Sequence, residues 1–415
     1  MQNKRDTLVC FTASFPFGLK ETFFENELPF LASRFEKVIL IPVINYSGDG
    51  VARSVPSNVE YLQPTVPHSK LNRMVRGLLN MSPINLYLKD FHRGKVYKSK
   101  TRLTNWFNSL LLFRLLYKRF RSLIIRLKLS PENTVLYSYW GEAPLFATGL
   151  VESYRKVVRM HRVDFYEEVN DGYLPLRKTI YAAADLLLPI SDDIKERLVN
   201  FYGVNRKDIF VARLGVDNKQ NPKSTEEGNN PMLIRIVSCS RVDPVKRVKL
   251  ILDALSDYNG KGMIEWHHFG DGQLYNELKI SVAQVTAANK NISIHLHGWT
   301  RQEDLFHFYE NNHVDCFVNV SESEGIPVSI MEAMSYGIPV IATDVGASRE
   351  IVNNRNGFLL DVDFDLDDLL KDILQLKGNE DKRTMAYETW KNEYQASENY
   401  NLLVEQLQRI ANERI

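Results

Sequence analysis

Val318-Asn-Val-Ser-Glu-Ser-Glu324-Gly-Ile-Pro-Val-Ser-Ile-Met-Glu332-Ala-Met-Ser-Tyr-Gly337-Ile-Pro-Val-Ile-Ala-Thr343 reads as strand, loop, helix and strand. Cys316 to Val320 is a short apolar run of the kind that forms a buried parallel strand. Pro327 suits the first turn of a helix, where a missing N–H costs nothing. Gly337 marks the helix stop, and Pro339-Val-Ile-Ala opens the next strand. Glu324 therefore falls in the loop before a helix N-terminus, and Glu332 falls inside that helix. A helix start offers free N–H groups and partial positive charge, which suits a phosphate. Two solvated glutamates on an ordinary βαβ unit would read the same way, so the rest of the chain has to decide.

The flanking sequence repeats the pattern. Thr7 to Thr12 is an expected strand, Ala13 to Lys20 a loop around Phe15-Pro-Phe-Gly18, Glu21 to Ser33 a helix and Lys37 to Val43 a second strand. Such a βαβ opening predicts a doubly wound parallel sheet, with ligands beyond the carboxyl ends of its strands. The Gly18 loop lies on that side, and so does His161, at the end of Lys156-Val-Val-Arg-Met-His161. Asp217 to Pro231 is polar throughout and reads as a linker. A fresh alternation follows, with strands at Ile234–Ser240, Ile264–Gly270 and Ile292–His297. Thr300-Arg-Gln-Glu303 reads as a capping box. Two α/β halves are expected, 1–222 and 223–395, with a terminal helix at 396–415 packing back on the first. A central cleft between the halves is implied.

Composition fits a soluble globular chain of 415 residues, 44% hydrophobic and 25% charged. Cys10, Cys239 and Cys316 lie far apart without metal-ligand spacing, so reduced thiols in a cytoplasmic protein are expected. The first residues lack the apolar core of a signal peptide, and no run is apolar enough to span a bilayer. The net charge of +1 hides a segment, Lys70 to Lys128, that carries fifteen Lys or Arg against Asp90 alone. Trp106, Phe113, Leu115, Phe120 and Ile125 interleave with these cations. That pattern suggests a helix on an anionic membrane face rather than a nucleic-acid groove.

Arg241 and Lys246 sit at a turn just after the first strand of the second half and were expected to open a helix. Two fixed cations there suit a diphosphate and would stabilise charge on a diphosphate leaving group. Glu332 suits two vicinal hydroxyls, as on a ribose, and Glu324 the hydroxyls of a second sugar. Together they describe a nucleotide-sugar. Asp361-Val-Asp363-Phe-Asp365 is read as helix capping, not metal binding. Gly270-Asp-Gly272 lacks the third glycine of a nicotinamide site.

The order Ser240-Arg241…Lys246, Gly270-Asp-Gly272, His297-Gly298-Trp299, Glu324…Glu332 and Gly337-Ile-Pro-Val-Ile-Ala-Thr343 resembles family four of the retaining glycosyltransferases. The resemblance implies the GT-B fold, two doubly wound Rossmann-like domains facing a central cleft. Glu21-Thr-Phe-Phe-Glu-Asn-Glu27, Arg159-Met-His161-Arg-Val-Asp164 and Leu214-Gly-Val-Asp217 look like a bacterial surface-polysaccharide branch. It further implies that Arg241 and Lys246 bind the diphosphate and Glu332 the ribose. Glu324 would contact the donor sugar, helped by backbone at Gly325, Ile326, Pro327 and Val328, with Gly298 also on the donor side. His161 would contact the transferring sugar, and Gly18 would let its loop approach the phosphates. Transfer with retention and without a catalytic metal or cofactor is implied. The donor would be a UDP- or GDP-sugar and the acceptor a glycan or lipid-linked glycan, at the inner face of the plasma membrane. Two departures stand out: Gly18 is followed by Leu19-Lys20 instead of a second glycine, and Arg162 stands where relatives carry a small residue. A nucleotide-sugar epimerase on the same fold and a silent nucleotide-sugar binder remain as competing readings.

Overall fold

The computed structural model describes residues 7–18, 21–44, 50–66, 69–79, 82–218, 230 and 232–413. Leu19-Lys20 and most of the expected linker lie outside them. The chain divides into two compact units, Met1–Ala212 with Tyr400–Ile415, and Arg213–Asn399.

The first unit holds strands β1 (Thr7–Thr12), β2 (Lys37–Pro42), β3 (Val59–Tyr61), β4 (Thr134–Ser138), β5 (Arg155–Met160) and β6 (Leu186–Pro189). All pair in parallel, in the order β3-β2-β1-β4-β5-β6. Its helices are α1 (Thr22–Arg34), α2 (Lys70–Leu79), α3 (Asn85–Arg93), α4 (Lys100–Leu127), α5 (Arg177–Ala183) and α6 (Asp192–Tyr202). A parallel sheet is covered on both faces, so its strands are apolar throughout. Leu8, Val9 and Cys10 are accordingly all buried. Ser191 caps α6 by accepting the N–H of Ile194.

One buried ion pair ties this unit together. Arg159 on β5 bonds Glu27 on α1, both without solvent exposure. Tyr137 on β4 donates to the same carboxylate at 2.8 Å, and Arg159 donates to the carbonyl of Ala212 at 3.2 Å. A helix, two strands and the last residue of the unit's first segment thus share one charge cluster.

The second unit repeats the architecture. Its strands are β7 (Leu233–Cys239), β8 (Met263–Phe269), β9 (Ile292–Gly298), β10 (Cys316–Asn319), β11 (Val340–Thr343) and β12 (Gly357–Leu360), in the order β12-β11-β10-β7-β8-β9. The helices are α7 (Lys249–Ser256), α8 (Tyr275–Ala288), α9 (Gln302–Asn311), α10 (Val328–Ser335), α11 (Ser348–Ile351), α12 (Leu366–Leu376) and α13 (Glu380–Glu393). The last helix, α14 (Ala396–Asn412), gives Leu403, Val404, Leu407 and Ile410 to the core of the first unit. Asp365 caps α12 by accepting the Asp367 N–H, as the capping reading of that acidic run requires.

Four local expectations change. Pro327 is the N-cap of α10 in extended geometry, one position ahead of its first turn. The Thr300 capping box does not form: Thr300 turns back to the carbonyl of Gly298, and Arg301 is the N-cap of α9. Arg241 to Lys246 ends in a short 3₁₀ turn, and α7 starts only at Lys249. The fourth change concerns the basic segment. Leu111, Phe113, Leu115, Leu116, Phe120 and Leu123 of α4 are buried, so they are core and not a membrane-facing stripe.

Removing one partner of the Glu27–Arg159 pair strands a buried charge, which costs about 3–5 kcal/mol. Glu27→Ala should lose about that much stability in urea denaturation. Combining Glu27→Leu with Arg159→Met should recover most of it.

Candidate active site

In both sheets the chain reverses direction beside the central strand, and the reversal opens a crevice at the carboxyl ends. In the second unit it lies between β7 and β10, which pair directly. The loop after β7 carries Arg241 and Lys246, and the loop after β10 carries Glu324. The structure brings Lys246 and Glu324 together: Nζ donates to Oε1 at 2.6 Å, with both side chains mostly buried. Asn319, the last residue of β10, donates to the same oxygen at 3.1 Å. Arg241 stands apart, with its side chain 81% exposed and its guanidinium on Asp243 of its own turn. The sequence reading made Arg241 and Lys246 equivalent, but only Lys246 is fixed against Glu324.

Sequence reasoning missed Arg247. It adopts a left-handed backbone, φ 49°, and its guanidinium donates to the carbonyls of Val320 and Val362, each at 2.8 Å. The N–H of Glu322 donates to the carbonyl of Val245. These bonds clamp the two site loops to each other. A glycine alone fits where the loop after β11 crosses underneath: a Cβ at Gly346, φ 55°, would stand 2.1 Å from the carbonyl oxygen of Glu324. The N–H of Ala347 then reaches the carbonyl of Gly325.

Helix α10 starts at Val328, with Ile326 buried just before it. Its first turn presents N–H groups beyond the end of β10. It ends in a Schellman turn, in which Gly337 (φ 67°) donates to the carbonyl of Met334 and Ile338 to that of Ala333. Glu332 projects from this helix toward α9 and accepts a hydrogen bond from Gln302. Gln302 lies inside the Thr300-Arg-Gln-Glu303 stretch, at a position the capping-box reading leaves without a role. Burial pushes the Glu332 carboxyl up to about 7, the Gln302 bond pulling slightly the other way.

The loops after β8 and β9 border the same end of the sheet. Gly270 donates to the carbonyl of Gly298 at 2.8 Å and sits at φ 140°. A Cβ there would meet the carbonyl oxygen of Ser240 at 1.8 Å. The glycine lets the β8 loop lie flat against the turn that carries Arg241.

In the first unit the reversal lies between β1 and β4. Glu21, itself left-handed at φ 61°, accepts the N–H groups of Ala13, Ser14 and Phe15 at 2.6 to 2.8 Å and the indole N–H of Trp140 at 2.7 Å. Gly18 lies further along this loop at φ 72°. His161 follows β5, packed between the rings of Tyr139 and Trp140 at centroid distances of 4.8 and 4.6 Å. Its backbone N–H is held by Asp164, which also accepts the N–H of Gly141. Neither ring nitrogen makes a hydrogen bond within the protein. Burial lowers its pKa, against the pull of Asp164, so the ring is neutral at neutral pH. It lines a cavity of about 580 Å³ with Glu21, Trp140, Asp164 and Arg177.

Comparison with known proteins places this geometry. Residues 219–393 match the family model described as glycosyl transferases group 1. The amylovoran biosynthesis glycosyltransferase AmsK of Erwinia amylovora is 24% identical over 378 residues, covering 85% of this chain and 86% of AmsK. The lipopolysaccharide 1,6-galactosyltransferase of Escherichia coli is 32% identical over 179 residues, 42% of this chain and 48% of that one. The match to WcaL of Escherichia coli likewise spans only half of that protein, at 27% identity over 48% of this chain. Among solved structures, the lipopolysaccharide outer core galactosyltransferase WaaB in its apo form superposes with a TM-score of 0.67 at 18% identity. The superposition covers 97% of this chain and 99% of that one. Anabaena HepE, solved with UDP and glucose, gives 0.62 at 15% identity over 97% and 100%. The shared fold is GT-B.

A carboxyl raised by folding holds its proton more tightly in the folded than in the unfolded chain. Its stabilising contribution is complete below the ordinary value of 4.5 and is lost as pH climbs through about 7. The ligand-free melting temperature should therefore fall between about pH 4.5 and pH 7 and level off above, and fall less in Glu332→Gln.

Proposed function

We propose that this protein is a retaining, metal-independent glycosyltransferase that moves a sugar from a nucleoside-diphosphate donor to a glycan or lipid-linked acceptor in surface-polysaccharide synthesis. The observation that carries this reading is the Lys246–Glu324 pair, set with Glu332 around the β7–β10 reversal. A diphosphate of a UDP- or GDP-sugar would take Lys246 from Glu324, and the exposed Arg241 would fold onto its second phosphate. The first turn of α10 would supply N–H groups to the same oxygens. Glu332 as a carboxylate would accept from both ribose hydroxyls. Glu324, released from Lys246, would accept from hydroxyls of the transferring sugar, and the neutral His161 ring is a hydrogen-bonding group for sugar hydroxyls in the first unit.

Departure of the diphosphate concentrates negative charge where Lys246 and Arg241 lie, and two cations suffice to stabilise it without a metal. Front-face attack, with the leaving phosphate taking the acceptor proton, retains configuration and asks no nucleophile of Glu324. The carriers of polysaccharide names among the relatives, AmsK and the lipopolysaccharide galactosyltransferase, support a glycan acceptor. An epimerase on this fold would release nucleotide without acceptor; a transferase releases it when acceptor glycan is added.

Peripheral attachment to the cytoplasmic membrane face belongs to the same proposal. Among the described residues no helix is long and apolar enough to cross a membrane. Helix α2 lies on α4 through Gly77, where a Cβ would stand 2.7 Å from Leu111. Its apolar residues Leu71, Met74, Val75, Leu78 and Leu79 face solvent instead. Beside it, Arg76, Lys118, Arg119 and Arg126 line a cavity of about 560 Å³ that holds no acid. An exposed apolar helix face next to unneutralised cations fits the interface of an anionic bilayer.

Lys246→Ala should reduce sugar transfer by roughly a hundredfold or more and weaken nucleotide binding; unchanged nucleotide affinity, by calorimetry, would refute its phosphate role. Glu332→Ala should weaken binding of the free nucleotide, while Glu324→Ala should spare that binding and depress transfer. Equal loss of nucleotide binding in both variants contradicts the division. In sedimentation with anionic vesicles at low salt, Leu71→Glu with Leu78→Glu should leave the protein in the supernatant. Wild-type protein that fails to sediment rejects the membrane reading.

A further inference from the structure

The parallel pairing of β8 with β9 sets Glu265 opposite Ser293 and His267 opposite His295. Residues two apart on a strand share a face, so Glu265 and His267 on one strand and His295 and His297 on the next stand on one side of the sheet. Nothing in the donor reading uses this cluster. The nitrogen Nε2 of His267 lies 3.5 Å from the Glu265 carboxylate, and Nε2 of His295 lies 3.4 Å from it. One ligand atom from each of the three residues falls within 4.8 Å of the other two. Bonds of about 2.0–2.1 Å at tetrahedral angles separate neighbouring ligand atoms by about 3.3 Å. The 3.4 Å between Nε2 of His295 and Oε1 of Glu265 is therefore already close to one such edge, while Nε2 of His267 is nearest to the other carboxylate oxygen, Oε2.

The groups behind these three are arranged as supporting partners of metal ligands are. His267 is 92% buried, and its Nε2 has no hydrogen-bond partner. Its other nitrogen, Nδ1, lies 2.9 Å from Nε2 of His297. With Nδ1 as the donor in that bond, the lone pair stays on Nε2 of His267, on the Glu265 side, while the His295 ring stacks against the His267 ring at 4.6 Å. Arg235 donates to Oε2 of Glu265 at 2.6 Å and so orients the carboxylate while leaving Oε1 available. Phe308 of α9 covers the His267 ring at 4.5 Å. His295 is 45% exposed, which gives an ion a path in and leaves one coordination position to solvent.

We propose that Glu265, His267 and His295 bind one zinc-class divalent cation, with water as fourth ligand and His297 and Arg235 as positioning residues. Two imidazoles and a carboxylate suit Zn²⁺ among the first-row ions, and Co²⁺ as its spectroscopic substitute. The ion would staple β9, the edge strand, to β8. Both strands run directly into the Gly270–Gly298 contact that shapes the donor-side loops, so the role is structural.

The test is zinc and cobalt titration of the full chain without an affinity tag, after dialysis against chelator. Expected are one equivalent of Zn²⁺ per chain, a visible four-coordinate Co²⁺ spectrum, and a melting temperature that rises with zinc. His295→Ala, on an exposed side chain, should weaken zinc binding at least about tenfold and abolish the cobalt spectrum, with its zinc-free melting temperature unchanged. His297→Ala should weaken binding about tenfold while retaining the cobalt spectrum. The proposal is overturned if wild-type protein takes up no zinc by about 100 μM free metal. It is equally overturned if His295→Ala binds zinc as the wild type does.

Discussion

The pairing of β7 with β10 is the constraint from which the donor-side arrangement follows. Parallel strands need a crossover between them, and the chain spends β8 and β9 on one side of β7 before it returns to lay β10 on the other. Loops from residues 240 to 248 and 320 to 327 are thereby made neighbours. Lys246 meets Glu324 across a sequence gap of 78 residues because their strands are adjacent, not because either residue seeks the other. Arg247, the Glu322 N–H and the crossing at Gly346 then hold those loops in place.

The two glutamates show how one short segment gives like groups unlike properties. Glu324 lies in a loop with a lysine and an asparagine on the same oxygen. Glu332, eight residues later, lies on a helix flank with only the neutral amide of Gln302. Desolvation without a countercharge raises its proton affinity, so it is ionised mainly above about pH 7. Their difference follows from what surrounds them and not from residue type.

Much of this was legible in the sequence. The strands announce themselves as short apolar runs, and the glycines at 270, 298 and 337 mark the turns that the structure places there. What pattern reading could not supply was competition between partners. Thr300-Arg-Gln-Glu303 has the spacing of a capping box, yet Thr300 turns back to Gly298, and Gln302, which has no part in such a box, supplies the amide that meets Glu332. Leu111 to Leu123 interleave with cations as a membrane helix would, but a sheet face nearby claims the apolar side first. The exposed apolar face belongs to α2, whose close approach to α4 at Gly77 is a matter of packing and not of periodicity. The grouping of Glu265 with His267 and His295 depends on strand register, which no spacing along the chain reveals.

The loop after β1 carries one more consequence. Three successive backbone N–H groups there make a concavity of the sort that proteins use to cradle anions, and the carboxylate of Glu21 already fills it. The chain has supplied its own anion. What arrives beside it must be chosen by other means, and the neighbouring surfaces are the rings of Tyr139 and Trp140 and a neutral imidazole. A ligand reaching this end of the first unit therefore meets rings and an imidazole, with the anion cradle already filled from within.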